Sequence, residues 1–229
     1  MNHAAYCILM AIEELDIEFP MQALPAEVVR LIEASDRRWD QFFANHANHR
    51  FPRLIPSDPA LVYSALACVT QQELPPGRLF CEWGSGFGTA TCLAALLGYE
   101  AYGIELHAEL ADISREMARE LALPVEILCT SYIPEGYDSY AGIGGDDLIQ
   151  SPMFSYPEDA DERALRYDGM ACTIAEIDLF FVYPWPEEQE LMQKLFDAVA
   201  MEGAILIAYH SAKEICVFRK MFEVRDRLV

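Results

Sequence analysis

A chain of 229 residues is long enough for one full α/β core, and its 53% hydrophobic content excludes a disordered chain. The 16 basic against 37 acidic residues leave a formal charge of −21. Such a surface repels phosphate backbones and anionic lipid, so nucleic acid is expected to be a poor partner and cationic or neutral substrates fit better.

The chain begins with a short apolar run at 4–12, with no basic segment before it and with Glu13 and Glu14 where a cleavage site would fall. It is not read as a signal peptide. No uninterrupted apolar stretch reaches about 18 residues, so no membrane span is expected. Cys7, Cys68, Cys81, Cys92, Cys129, Cys172 and Cys216 are scattered, with no C-x-x-C spacing. They read as free thiols of a reducing cytoplasm rather than a disulfide framework. Residues 25–45 place Val28, Leu31, Ile32, Trp39 and Phe42 at helical spacings. His46 and His49 follow at a metal-compatible spacing, but without a third ligand a helix-end role is the better reading. Asp58 then suits an N-cap and Pro59 a first helical residue.

From Arg78 the pattern alternates: strands "RLFCEW", "EAYGIEL", "PVEILCTS", "IDLFFVYPW" and "GAILIAYH" are separated by helices, with a long irregular section over 132–175. Strands alternating with helices mean parallel βαβ units. The expected fold class is α/β, a Rossmann-like open sheet, mostly parallel, with helices on both faces. It is read as a single domain, 1–229, with an N-terminal helical extension (1–55) and a core over 56–229. In such sheets ligands bind beyond the carboxyl ends of the strands.

The segment "EWGSGFG", Glu82 to Gly88, follows the first of these strands and opens a helix. Glycines there allow a tight turn and a ligand against main-chain amides, and the helix N-terminus adds partial positive charge. A triphosphate loop would need Gly-Lys-Ser/Thr, which is absent. The nicotinamide fingerprint would need Gly or Ala where Thr89 stands. The spacing is instead G-x-G-x-G with an acid, Glu82, two residues ahead. Glu105 ends the next strand, where a carboxylate can take both hydroxyls of a ribose.

With these residues in hand, the chain resembles the class I S-adenosylmethionine-dependent methyltransferases over about 56–210. Their first motif, [D/E]-x-G-x-G-x-G, stands here as "EWGSGFG", and the acid closing their next strand stands in "YGIEL". The resemblance implies that Gly84, Ser85, Gly86 and Gly88 surround the methionine part of S-adenosylmethionine, with Glu82 nearby. It implies that Glu105 holds the ribose and that Thr130, Ser131 and Tyr132 flank the adenine, although the aspartate often found there is missing. Ser57 or Asp58 would reach the carboxylate end of the cofactor.

The acceptor would lie at the end of the fourth predicted strand, where Tyr183, Pro184 and Trp185 should project. The resemblance would put [D/N]-P-P-[Y/F] there in amino-directed enzymes; this chain has Tyr-Pro-Trp-Pro. It is also similar to the D-P-W-P of transfer-RNA guanine-N7 enzymes, but Tyr183 replaces the aspartate, and Glu187 and Glu188 replace basic residues. Tyr183 and Trp185 could meet a cation over their rings or simply pack. His210, at the end of the fifth predicted strand, is a candidate general base or a packing residue. The metal-binding acid of the catechol-type enzymes is missing, so no metal is expected. Tyr137, Tyr140, Phe154 and Tyr156 in the long section are candidate lid residues.

The short run after His210 holds one further strand-like stretch, "EICVFRKMFEV". The terminal hairpin is therefore reduced, leaving an edge for the N-terminal segment or a partner subunit, as in a homo-oligomer, to cover. The expected function is S-adenosylmethionine-dependent methyl transfer to a small molecule, such as an amine, or to a protein side chain, in the cytoplasm and away from membranes. The alternatives are a non-catalytic S-adenosylmethionine-binding module and a nicotinamide-dependent oxidoreductase.

Overall fold

The computed structural model describes residues 11–45, 50–134 and 165–221. In chain order the elements are β1 (Ile12–Leu15), α1 (Ala26–Ala44), α2 (Pro59–Gln71), β2 (Leu79–Trp83), α3 (Thr89–Leu96), β3 (Glu100–Glu105), α4 (Ala108–Glu120) and β4 (Val125–Cys129). After the undescribed 135–164 come β5 (Leu179–Val182), α5 (Gln189–Val199), β6 (Ile205–His210) and β7 (Glu214–Lys220). The strands form a 7-stranded sheet in the order β1-β7-β6-β5-β2-β3-β4. Pairing is parallel from β6 to β4, and antiparallel where β7 lies between β6 and β1.

The central strands read as continuous apolar runs because both of their faces are covered. On one face Phe80, Leu179, Phe181, Ile205 and Ile207 pack against α1 to α4 through residues such as Leu31, Leu66, Leu93 and Met117. On the other, Trp83, Phe180, Val182 and Leu206 meet Met192, Leu195 and Phe196 of α5, together with Tyr167, Met170 and Ile174. This is a Rossmann-like, doubly wound arrangement, a mostly parallel sheet with helices on both faces.

The start of α2 depends on one side chain. Asp58 accepts the Ala60 and Leu61 amides at 3.1 and 3.3 Å, ahead of Pro59 in the first turn, which meets two of the donors that every helix start leaves bare.

The N-terminal extension holds the expected helix and, ahead of it, a strand that was not expected. Residues 26–44 are helical, but Ile12–Leu15 is a strand, and it is this segment that lies along β7. With only four residues, two of them charged, it forms a strand because β7 offers a ladder of open backbone groups, not because of its own propensity. Asp197 of α5 fastens this corner: its Oδ1 accepts the Ala11 amide at 2.9 Å and the Lys220 ammonium at 2.7 Å. Glu13 and Glu14 leave the outer strand charged, which suits an edge.

Candidate functional site

The glycine loop leaves β2 at Trp83 and reaches α3 in five residues, with φ of +71° at Gly84, +52° at Gly86 and +70° at Gly88. A Cβ on Gly88 would lie 2.0 Å from Ser114 Oγ, so glycine is required there by packing as well as by backbone conformation. A Cβ on Gly84 would meet nothing within 4 Å, because that backbone faces open space. The loop is tied to β3: the Ser85 amide donates to Ile104 O at 2.8 Å, and the Gly86 amide to Glu105 Oε2 at 2.8 Å.

Two buried carboxyls flank the loop. Glu105 is 6% exposed and also accepts the His107 amide at 2.8 Å. Glu82 is 7% exposed, and its Oε2 accepts both the amide and the hydroxyl of Thr91, at 2.8 and 2.5 Å. In this way Glu82 caps the N-terminus of α3, which has no cap of its own. Burial pushes the Glu82 carboxyl up to about 8, against the pull of the two Thr91 bonds and with the added push of Glu105.

Beyond the strand ends lies a crevice of about 80 Å3. Glu82, Gly84, Ser85 and Gly86 form its floor, and Tyr183 lies at one side. Further walls come from residues that the sequence did not assign to a site: Ser35, Asp36 and Trp39 of α1, and Leu54 to Pro56 beside the anticipated Ser57. Ser35 Oγ lies 2.9 Å from Thr89 Oγ1, and Trp39 lies on Phe87 with ring centroids 4.3 Å apart. No local motif marks these residues; only the return of α1 across the sheet brings them to the loop.

Of the other anticipated residues Tyr183 lines the crevice, while Gly88, Glu105, Asp58, Ser131, Tyr132, Trp185 and His210 do not. Ser131 Oγ accepts the Ile133 amide at 3.1 Å, and Tyr132 packs toward the α5 face, its carbonyl accepting the Tyr167 hydroxyl at 2.5 Å. Trp185 turns to the segment before α2: its Nε1 donates to Arg53 O at 3.3 Å, and the Arg53 guanidinium lies 5.3 Å from its ring centre. Tyr183 meets Tyr209 edge-on, with centroids 4.7 Å apart. His210 alternates onto the α5 side with Leu206 and Ala208, the opposite face from Glu82, opposite Glu214 of β7. Its Nδ1 is buried without a partner, and burial lowers its pKa against the opposing effect of Glu214 and Glu14. Asp58 is engaged with Lys213 at 2.6 Å as well as with its helix. His46, His49 and the candidate lid residues Tyr137, Tyr140, Phe154 and Tyr156 lie outside the described residues.

Among the described residues no group of three His, Cys, Asp or Glu could hold a metal ion, and no helix is long and apolar enough to cross a membrane. Six cysteines in these segments are free.

No family model and no curated protein matches this chain. Solved structures do match. An RNA methyltransferase from Salinibacter ruber, in complex with S-adenosyl-L-homocysteine, is 16% identical over 76% of this chain and 99% of its own, with a TM-score of 0.48. An S-adenosylmethionine-dependent methyltransferase from Clostridium acetobutylicum is 12% identical over 74% of this chain and 56% of its own, at 0.43. The Thermus thermophilus 16S rRNA N2 G1207 methyltransferase, in complex with S-adenosylmethionine and guanosine, is 13% identical over 74% of this chain and 45% of its own, at 0.45. These are likenesses of fold. They correct one expectation, that nucleic acid is a poor partner: RNA methyltransferases, one of them holding guanosine, stand among the structures that match. Charge summed over a chain does not describe the charge at one face.

Proposed function

We propose that this chain, which has the class I methyltransferase fold, binds S-adenosylmethionine in the glycine-loop crevice and transfers its methyl group to an acceptor beside Tyr183. One observation carries the reading: a left-handed glycine loop lies between two buried acids at the carboxyl ends of parallel strands, with open space over Gly84. The residues present suit such a ligand. The crevice lining holds acids and aromatic rings and, among the described residues, no basic side chain, which favours a ligand that carries positive charge.

In this reading Gly84, Ser85, Gly86 and Gly88 take the methionine part and Glu105 the ribose, its oxygens retaining lone pairs beyond those given to Gly86 and His107. Ser131 and Tyr132, at the end of β4, would border the adenine. When bound, the cofactor supplies a methyl group already activated by its sulfonium. The task of the chain is then to position the acceptor and exclude water, and orientation supplies most of the rate. Tyr183 and the rim formed by Trp185 border the acceptor side. A small amine, a protein side chain and an RNA base are the acceptor classes to compare. A non-catalytic binding module is the second reading, favoured by the lack of any carboxylate or amide side chain in "YPWP" at the end of β5.

Thermal denaturation with S-adenosylmethionine, S-adenosylhomocysteine and NAD tests the cofactor, because a ligand bound only by the native state raises Tm. Both adenosyl compounds are expected to raise it. A rise with NAD alone would overturn the reading. Methyl release measured over amines, proteins and RNAs then separates the enzyme from the binding module.

A further inference from the structure

Glu82 is placed where a charge would be costly. It sits one residue from the end of β2, with β3 and β5 on either side, and is 7% exposed. Its Oε2 is taken up by Thr91, while Oε1 has no hydrogen-bond partner among the described residues, and the side chain borders the crevice. No cation faces it. From α3 come Thr91 and the Cys92 thiol, and from β3 a second carboxyl, Glu105. α1 contributes Ser35 and Asp36, and β5 leads to Phe181 and Tyr183. The Arg38 guanidinium acts on Cys92 and is already engaged with Ala34 O and Glu120. Asp36, next to two arginines that both turn to Glu120, makes no hydrogen bond or ion pair among the described residues.

Resting on the cofactor reading above, we propose that Glu82 is a proton-linked specificity residue: it holds a proton when the crevice has no ligand and releases it to solvent when a cationic ligand such as S-adenosylmethionine enters. A carboxylate buried with no cation facing it is disfavoured even with the two Thr91 bonds on one oxygen, so the neutral acid is the resting form. Its position near pH 8 agrees with this. A positive charge within about 4–6 Å lowers a carboxyl by about 1–3 pH units, enough to ionise Glu82 at neutrality. The bond that breaks is the carboxyl O–H on Oε1, and the proton passes to buffer through the crevice mouth. The resulting carboxylate pairs with the ligand cation, and Thr91 keeps its two bonds to Oε2. The sign follows. Below about pH 8 binding must displace the proton, so affinity for a cation rises with pH and levels off once Glu82 is ionised without help.

The test is isothermal titration of the full chain with S-adenosylmethionine, in buffers of different ionisation enthalpy at pH 7, with affinities followed from pH 6 to 9. Proton release is expected, with affinity rising up to about 10-fold per pH unit before the plateau. In Glu82→Gln the release is expected to vanish and the pH profile to flatten, while circular dichroism confirms the fold. Thr91→Val keeps the acid but removes the hydroxyl that favours its ionised form, and should move the plateau to higher pH. That variant tests the coupling even if Glu82→Gln does not fold. Heat that is independent of buffer, or release that is unchanged in Glu82→Gln, would overturn the coupling alone. No binding at any pH would overturn the cofactor reading and this proposal with it.

Discussion

Gly88 and Ser114 illustrate how tightly single atoms constrain the loop. A Cβ on Gly88 would sit 2.0 Å from Ser114 Oγ and 3.2 Å from its Cβ, at a φ of +70°. Gly88→Ala therefore faces two separate costs, a backbone one and a steric one, together about 2–4 kcal/mol. The Ser114 hydroxyl is buried and has no partner among the described residues, so removing it forfeits no hydrogen bond. Ser114→Ala alone is expected to be neutral or slightly stabilising, and in the Gly88→Ala background it should recover the steric part only. Urea denaturation of the four chains checks this. Strictly additive changes would show that the two atoms do not meet.

At the scale of elements, the α5 residue Asp197 ties the last two strands of the sheet together. Its ion pair with Lys220 leaves both side chains 11% exposed, and the same oxygen takes the Ala11 amide. Removing one partner of such a pair strands the other charge in a poorly hydrated site. Asp197→Ala is expected to lose about 2–4 kcal/mol and to speed hydrogen exchange selectively in β1 and β7. Uniform acceleration over the whole sheet would argue against a local fastening.

The same corner shows where sequence was informative. The five parallel strands were legible because each is an apolar run bounded by turn residues, and α2 because Asp-Pro is a local start signal. β1 was legible only in part. The reduced end of the sheet left an edge that the N-terminal segment was one candidate to cover, but "IEEL" gains its strand structure from β7, about 200 residues away in the chain, and not from its own four residues. The floor of the crevice was legible as a motif, since backbone conformation and spacing are local matters. Its walls were not, because Asp36 and Trp39 belong to a helix whose pattern reports burial and says nothing of what it is buried against. His210 and Trp185 were assigned by strand-end position, a rule that gives the end of the sheet but not the face to which a side chain alternates.

At the scale of the whole molecule, the arrangement over the glycine loop bears on how any ligand arrives. Residues 50–58 cross the mouth of the crevice and are pinned on three sides. Arg50 makes two bonds to Glu109 at 2.6 and 2.7 Å, Arg53 reaches Glu188 at 2.8 Å and Glu187 at 3.2 Å, and Asp58 meets Lys213 at 2.6 Å. Between these pins Leu54 lies over Gly86, and Trp39 lies on Phe87. The crevice, open to solvent on one side, has a volume of about 80 Å3, below the 300 Å3 or more, roughly, of sites that hold a whole ligand. If the proposed adenosyl compound binds here, the segment over the crevice is expected to shift to admit it. Its pins are solvent-facing pairs, individually weak and screened by salt, so the cover is loosely held. Association of S-adenosylmethionine is therefore expected to be gated, slower than about 10^5 M⁻¹s⁻¹ at low ionic strength. It should become several-fold faster in Arg53→Ala, which releases Glu187, Glu188 and the Trp185 ring at once, and moderately faster at high salt. Trp39 and Trp185 both sit in or against the cover, so stopped-flow tryptophan fluorescence reads the motion directly. An association rate indifferent to both Arg53→Ala and salt would mean that the ligand enters by another route, and that residues 50–58 form a fixed wall of the site.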